Sequence, residues 1–500
     1  MLQKKLHIPI NLPLTLNDDI EVDETIKILI KSIQSCNKIG AKSTFKLYED
    51  FFSKKTSKYI KNNLNFFLKT IIPIIFQSKH TKEGLYQLLR LVDNIVFNFS
   101  YIDTLKTNMF IYENLSKVLS FSGHITNVVS KDVKLLEILQ PDYGFRLNGN
   151  KTFYKNSFEK IDTSNSNEEV ILDTLRRTHR ILKFQILFAL INNDIDVKRA
   201  ATEFSLLAEA TIDFSLKVIN KKNLIEHNIV CKDFSIIAYG RFGTNSMTAN
   251  SDVDLVFVYG GKFKKNIYIS IFKQLIKILS TKTTEGYIYE VDTKLKPSGK
   301  FGPVACTYES FKKYHQIKSF AWEKIALKKA RVINDGTFSK RVRNLLDKLI
   351  ALPISDTDIT EEIHKMRINK NEGESISNDF KKNSSPNWFE TKYVGGGQRD
   401  LEFLKYFYRN ETDLIPRYEI DKNKLFCKKM ENVFFKTDQI VNICFFDKKQ
   451  SHLPNDAVNT LIKEVNVKDL GSLKSLINQG KIEIFKLLNQ ILESKLIKKY

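Results

Sequence analysis

Asp252 and Asp254, within Ser251-Asp252-Val253-Asp254-Leu255, are spaced so that a strand would carry both carboxylates on one face. Such a pair can share two divalent metals about 3.5 to 4 Å apart, which activate an attacking oxygen and neutralise a transferring phosphoryl group. Just upstream, Tyr239-Gly240-Arg241-Phe242-Gly243-Thr244 reads as a strand running into a glycine turn. Gly240 and Gly243 there would let backbone N–H groups approach a phosphate, and a following helix N-terminus would add a favourable dipole. An Asp-x-Asp alone is equally a turn with an acidic strand start; the preceding strand and turn favour the catalytic reading. Alternation over Tyr287 to Lys296 sets Tyr287, Tyr289, Val291 and Leu295 on one face and Glu290, Asp292, Lys294 and Lys296 on the other. A solvated outer face would give the same pattern. In the catalytic reading, Asp292 either binds metal or accepts the proton of an incoming hydroxyl, and Lys294 and Lys296 meet phosphate charge.

The elements that must position these residues follow from the apolar spacing. Strands are expected over Phe234 to Tyr239, Val253 to Tyr259 and Tyr287 to Lys296, with a helix from about Asn266 to Ser280 between the last two. A helix containing Phe311 and Tyr314 follows. Upstream, two long helices are expected, Val170 to Asn192, capped by Ser166 with Glu169, and Asp196 to Asn220. Pro141, Gly144 and the polar run Asn148 to Asn167 read as the connector before them. From residue 17 to about 140 the spacing is helical, as in Leu85, Leu88, Leu89, Val92 and Val96, or Leu115, Val118 and Leu119. Asn369 to Asn387 is nearly devoid of apolar residues and reads as a mobile loop. The pattern is then helical to Tyr500. Three parts result: residues 1–150, a helical region; 151–355, the catalytic domain with its preceding long helices; and 356–500, a helical bundle.

Composition narrows the class. At 500 residues with 42% hydrophobic and 27% charged content the chain is globular and exceeds one compact domain. Its richest apolar run, Leu64 to Phe76, contains Lys69 and Pro73 and is too short to span a bilayer. Neither a membrane span nor an export signal is evident, so the expected location is the cytoplasm. Cys36, Cys231, Cys306, Cys427 and Cys444 lie far apart with no metal-ligand spacing, and are read as reduced structural thiols. The eight histidines show no ligand pattern either. The net charge of +22 is mostly dispersed lysine rather than clustered arginine with aromatics, which makes nucleic acid an unlikely partner.

The ordered motifs point to a family. Gly240-x-x-Gly243 with Ser251-Asp252-x-Asp254, then Tyr289-Glu290-Val291-Asp292-Thr293-Lys294-Leu295-Lys296-Pro297-Ser298-Gly299, resembles the nucleotidyltransferase domain of glutamine synthetase adenylyltransferase. The resemblance continues through Gly302-Pro303, Trp322-Glu323, Lys329-Ala330-Arg331-Val332, Lys392, Gly396-Gly397 and Asp400-Leu401-Glu402-Phe403. Leu175-Arg176-Arg177 with His179-Arg180 is similar to the family's basic helix, although a solvated helix face is its simplest reading. Trp322 and Glu323 read as packing and helix surface, and Lys392 with Asp400 to Glu402 as a junction to the C-terminal domain.

The resemblance implies an α+β multidomain protein with a polymerase-beta-like mixed-sheet core between N- and C-terminal helical domains. It implies ATP as cosubstrate, Mg²⁺ held by Asp252, Asp254 and Asp292, and nucleotide contacts from Gly240, Gly243, Thr244, Ser251, Lys294 and Lys296. The acceptor would be a tyrosine hydroxyl of glutamine synthetase, with PII signal protein and glutamine as regulators. Family members usually contain two such units, one adding AMP and one removing it by phosphorolysis. This sequence has one, and its Tyr-Glu-Val-Asp and Pro-Ser-Gly wording resembles the adding unit. The alternatives are phosphorolytic removal of AMP and a degenerate regulator that binds without turnover. Two departures matter. Thr244 stands where the family has the second glycine of Gly-Lys-Leu-Gly-Gly, which would be strained if that position needs positive φ. Lys294 and Lys296 replace the arginines of Arg-Leu-Arg-Pro, keeping charge but losing the bidentate fork.

Overall fold

A computed structural model describes residues 109–132, 134–139, 147, 149–163, 167–354, 359–363, 365, 388–392, 394–409, 417–445 and 453–497, with scattered residues between 66 and 105. The chain forms two compact units. One comprises Leu147–Ile186, Asp196–Asn442 and Glu464–Tyr500; the other comprises Met1–Arg146, Leu187–Ile195 and Ile443–Lys463.

The larger unit is mostly helical around a small mixed sheet. Strands β1 (Phe234–Ala238), β2 (Val253–Tyr259), β3 (Val291–Asp292), β4 (Ala305–Thr307) and β5 (Arg331–Val332) run in the order β3-β2-β1-β5, with β4 also on β2. β1 is antiparallel to β2 and β5, whereas β3 and β4 are parallel to β2 at successive stretches of its other edge. Successive side chains of β1 and β2 point to opposite faces, and both faces are apolar, so both are covered. On one side Ile237, Tyr239, Val256 and Val258 pack with Val342, Leu345, Leu346 and Leu349 of the Thr337–Ile350 helix. On the other, Phe272 and Tyr268 of the Lys265–Ser280 helix stack on Phe257 and Tyr259, with ring centroids 4.4 Å apart in each pair. β5 is only two residues long because Asn334 continues its ladder with a side chain. Its carboxamide accepts from Ile236 N at 2.8 Å and donates to Phe234 O at 3.1 Å.

Two long helices precede the sheet, Glu168–Ile191 and Val197–His227. The second begins at Asp196, whose side chain accepts from Arg199 N, and stops at Asn228 in the left-handed conformation. It runs seven residues past the Asn220 expected from spacing. The stretch Asn148 to Asn167, expected as a connector, contains the Lys151–Glu159 helix. Asn150 caps it, and the i, i+4 pair Tyr154 and Phe158 is wholly buried. Tyr154 donates its hydroxyl to buried Glu203 at 2.7 Å, and Phe158 meets Phe214. A polar composition concealed this short amphipathic helix. Ser166 lies outside the described residues; Asn167 Oδ1 accepts from Glu169 N at the following helix start.

Downstream, helices span Gln398–Arg409, Arg417–Cys444, Asn455–Val465 and Leu470–Ile497. The expected loop Asn369 to Asn387 lies outside the described residues, as do Pro141, Gly144, Leu85, Leu89, Val96 and Cys36. In the smaller unit the Met109–Phe121 helix buries Leu115, Val118 and Leu119 completely. Ser122 caps the next helix, Gly123–Val129, and donates to Ile443 O at 3.1 Å. Leu88 and Val92 are buried. The four described cysteines are free and buried. Among the described residues no helix is long and apolar enough to cross a membrane.

Replacing Asn334 with alanine leaves the buried Ile236 N–H without its acceptor and the Phe234 carbonyl with only a 3.5 Å contact from Ser339 Oγ. Asn334→Ala is therefore expected to lower unfolding stability by about 2–4 kcal/mol, read from urea titration.

Candidate active site

β2 carries Asp254 near its start, with Asp252 just before it. The parallel register sets Asp254 opposite Asp292 and Val253 opposite Val291. Three carboxylates thus gather at the same end of the sheet. Asp252 is exposed and Asp254 half-buried. Burial, together with the charges of Asp252 and Asp292, pushes the Asp254 carboxyl up to about 6, against the opposing charges of Lys392 and Lys294.

β3 differs from the expected strand Tyr287 to Lys296: it is two residues long. Asp292 Oδ1 accepts from Lys294 N at 2.7 Å, folding the chain into an Asx turn. Pro297 then lacks an N–H for any ladder, and Ser298 and Gly299 take φ of 67° and 56°. The alternation of charge through Lys296 is therefore not a strand face. Lys294 is exposed and places Nζ 2.6 Å from Asp292 Oδ2, and the hydrogen bond and charge of Asp292 hold its ammonium above the ordinary value. Lys296 is buried, with Nζ 3.5 Å from Thr293 Oγ1.

The turn between β1 and β2 is built around protein neighbours. Gly240 has φ of 56°, and a Cβ there would stand 2.5 Å from Asp254 Oδ2. A Cβ on Gly243 would fall 2.0 Å from the Lys329 carbonyl oxygen, so that glycine answers to a backbone approach within the protein. Thr244 adopts φ −95°, a relaxed value for a β-branched residue, and Asn245 takes the positive φ instead. The strain anticipated at Thr244 is absent. Its hydroxyl is exposed, 2.7 Å from Ser246 Oγ and 3.1 Å from Gly240 O. Ser251 Oγ accepts from Thr248 N at 2.9 Å and closes the turn that delivers Asp252.

The donor set is wholly carboxylate oxygen, which suits a hard divalent ion such as Mg²⁺. Among the described residues no three acidic, histidine or cysteine side chains converge as a formed metal site. Asp292 spends both oxygens on Lys294. Chemistry and register fit the ion, with Asp252 and Asp254 as first holders and Asp292 able to join on leaving Lys294.

Several groups support the site, most of them within the quoted motifs, whereas Glu209, Glu285 and Asp438 belong to none. Arg331 donates to Gly243 O at 3.0 Å and Phe242 O at 3.1 Å and pairs with Glu209 at 2.5 Å. Arg241 pairs with Asp438, and Lys329 with Glu402. Lys392 acts electrostatically on both Asp254 and Asp438. Asp400 instead accepts from Gly396 N at 2.9 Å, within the turn of its own segment. The basic helix is not a solvated face. Arg176 is buried beside Asp173, whereas Arg177 and Arg180 both grip Glu285, in the segment leading to β3. Burial would raise the Glu285 carboxyl, but hydrogen bonds and charge from Arg180 and Arg177 hold it below its usual range. His179 is buried against the Tyr289 hydroxyl at 2.9 Å, and burial, with Lys183 and Arg180, lowers it to about 3. Glu323 is buried, accepts from Phe320 N and Tyr314 Oη, and so fixes its own helix start.

The folded Asp254 carboxyl binds its proton up to about pH 6, whereas its ordinary value is 3.8. Stability therefore falls as pH rises through that window, and the deficit persists above it. Asp254→Asn is expected to be more stable than the parent by about 1–3 kcal/mol at pH 8, an advantage that vanishes by about pH 4, in paired urea titrations.

A family model described as glutamate-ammonia ligase adenylyltransferase matches residues 112–345. Three curated relatives carry the name bifunctional glutamine synthetase adenylyltransferase/adenylyl-removing enzyme. That of Bartonella quintana is 26% identical over 82% of this chain and 43% of its own length. That of Brucella melitensis is 27% identical over 66% of this chain and 34% of its own. That of Mesorhizobium japonicum is 32% identical over 47% and 24% respectively. The chain thus spans less than half the length of the curated relatives it matches. Residues 112–345 are thus similar to glutamate-ammonia ligase adenylyltransferase, and the longer matches extend that similarity over most of the chain.

Proposed function

We propose that this chain transfers AMP from ATP to a tyrosine hydroxyl of glutamine synthetase. The observation carrying the proposal is the register that sets Asp254, two residues after Asp252, opposite Asp292, with the Asp254 carboxyl raised by burial and by its two neighbours. A cluster of acidic groups at one sheet end, beside a glycine turn, suits a polyphosphate bound with cations.

In the proposed reaction the phenolic oxygen forms a bond to the α-phosphorus while the bond from that phosphorus to the bridging oxygen of the β-phosphate breaks in line. Pyrophosphate departs with the bonding pair. A phenol with pKa near 10 is a weak nucleophile at neutral pH, so its proton must be taken as the bond forms. Asp292, adjacent to Asp254 and held only by exposed Lys294, is assigned that proton. Asp252 and Asp254 would hold Mg²⁺, which supplies charge neutralisation on the α-phosphate and the departing pyrophosphate. Lys294 is freed to face phosphate when it leaves Asp292, and Ser251 and Gly240 keep the turn that aims the carboxylates.

The relatives' shared name joins transfer and removal, so phosphorolytic release of AMP from modified glutamine synthetase is the second reading. The sequence wording around Asp292 and Pro297 favours transfer. PII signal protein and glutamine are the proposed regulators.

Incubation with α-labelled ATP, Mg²⁺ and unmodified glutamine synthetase is expected to label the synthetase. Asp252→Asn with Asp254→Asn should reduce labelling by at least about a thousandfold, as expected when electrostatic stabilisation of a phosphoryl transition state is lost. Phosphate-driven release of AMP from labelled synthetase, without forward transfer, would establish the second reading instead.

A further inference from the structure

In the loop from Gly240 to Asn250, the carbonyl groups of Phe242, Gly243, Ser246 and Met247 accept from side chains of distant segments. Gln439 is fully buried and directs Nε2 to Met247 O at 2.9 Å and Ser246 O at 3.4 Å. Asn442, one turn away from Asp438, accepts from Asn250 Nδ2 through its carbonyl at 2.7 Å. Asp438 pairs with Arg241, whose guanidinium also donates to Gln398 Oε1 at 3.3 Å. Asp438, Gln439 and Asn442 therefore present one side of the Arg417–Cys444 helix to three points of the loop. Gln398 is itself tied to Thr391 and, at 3.5 Å, to Phe434 O of the same helix.

Resting on the proposed function, we propose that Asp438 and Gln439 are positioning residues: through Arg241 and the Ser246 and Met247 carbonyls, the C-terminal helix holds the nucleotide loop in the shape that binds ATP. Neither side chain reaches the carboxylates by a hydrogen bond. Their action is on the backbone between β1 and β2, where Gly240 runs so near Asp254 that a Cβ there would stand 2.5 Å from Oδ2. An amide at 439 is required because two carbonyl oxygens need a donor; a carboxylate of the same shape would repel them. A carboxylate at 438 is required because Arg241 would otherwise lose its charged partner.

The test is Mg-ATP affinity of the full chain, measured by isothermal titration beside thermal melting, for the parent, Gln439→Glu, Asp438→Asn, Asp438→Glu, Arg241→Gln and the Arg241→Gln/Asp438→Asn pair. Gln439→Glu and Asp438→Asn are each expected to weaken Mg-ATP roughly tenfold while still melting cooperatively. Asp438→Glu should recover most of the affinity, and the double variant should be no weaker than the weaker single one, because the two act as a unit. In turnover, the same variants should raise KM for ATP more than they lower kcat. Parent-like affinity in both Gln439→Glu and Asp438→Asn would overturn the assignment while leaving the proposed function intact. A parent chain that does not bind Mg-ATP would overturn both. If Gln439→Glu does not fold, the Arg241–Asp438 set decides alone.

Discussion

Mutual repulsion among carboxylates constrains everything at the end of this sheet. Strand pairing that the apolar faces of β1 and β2 enforce sets Asp254 opposite Asp292, with Asp252 two residues before it, and burial together with these two charges raises the Asp254 carboxyl. Without a cation the arrangement is unfavourable, and the fold meets that partly with Lys294 closed on Asp292 and with Lys392 acting from the C-terminal segments. Groups arranged against their own stability are a common mark of sites that need a charged ligand. Gly240 belongs to the same constraint, since any side chain there would collide with the Asp254 oxygen.

The apolar framework makes this tolerable. Phe272 and Tyr268 stack on one face of β2 while Val342, Leu345 and Leu349 cover the other side of the sheet, so β2 cannot slide by one residue without turning its core outward. Register is therefore set by packing far from the acids, and the acids inherit it. The loop before β2 buries only Phe242, Met247 and Ala249 among its apolar side chains, and much of its remainder is polar. It is held by side-chain donors: Arg331 at Phe242 and Gly243, and Gln439 at Ser246 and Met247.

Much of this was legible in the residues. Strand Val253 to Tyr259 has the expected bounds, because a continuous apolar run flanked by turn formers leaves little freedom, and the helix over Lys265–Ser280 starts within one residue of its expected place. The strand expected from Tyr287 to Lys296 failed because alternation of charge was read as pleat, when Asp292 instead bends the chain onto Lys294. The Lys151–Glu159 helix was hidden by its polar composition, with only Tyr154 and Phe158 marking a buried side. Arg177 and Arg180 resemble a solvated face in the sequence because Glu285, their partner, lies over a hundred residues away, and Arg176 because its pairing with Asp173 on the same helix hides its burial. Asp438 and Gln439 had no signal at all: a single buried amide or acid on a long helix carries no local pattern, and its meaning comes only from what the fold sets beside it.

In the proposed reaction Asp252 and Asp254 hold the cation, with Asp292 beside them, for a nucleotide bound at the Gly240 turn. The most direct test is a crystal structure with Mn²⁺ and a non-hydrolysable ATP analogue, using the anomalous signal of manganese. Manganese bonded to Asp252 and Asp254 is expected, with Lys294 released from Asp292 and the α-phosphate beside the three acids. An analogue bound elsewhere, or a metal-free nucleotide with Lys294 still closed on Asp292, would contradict it.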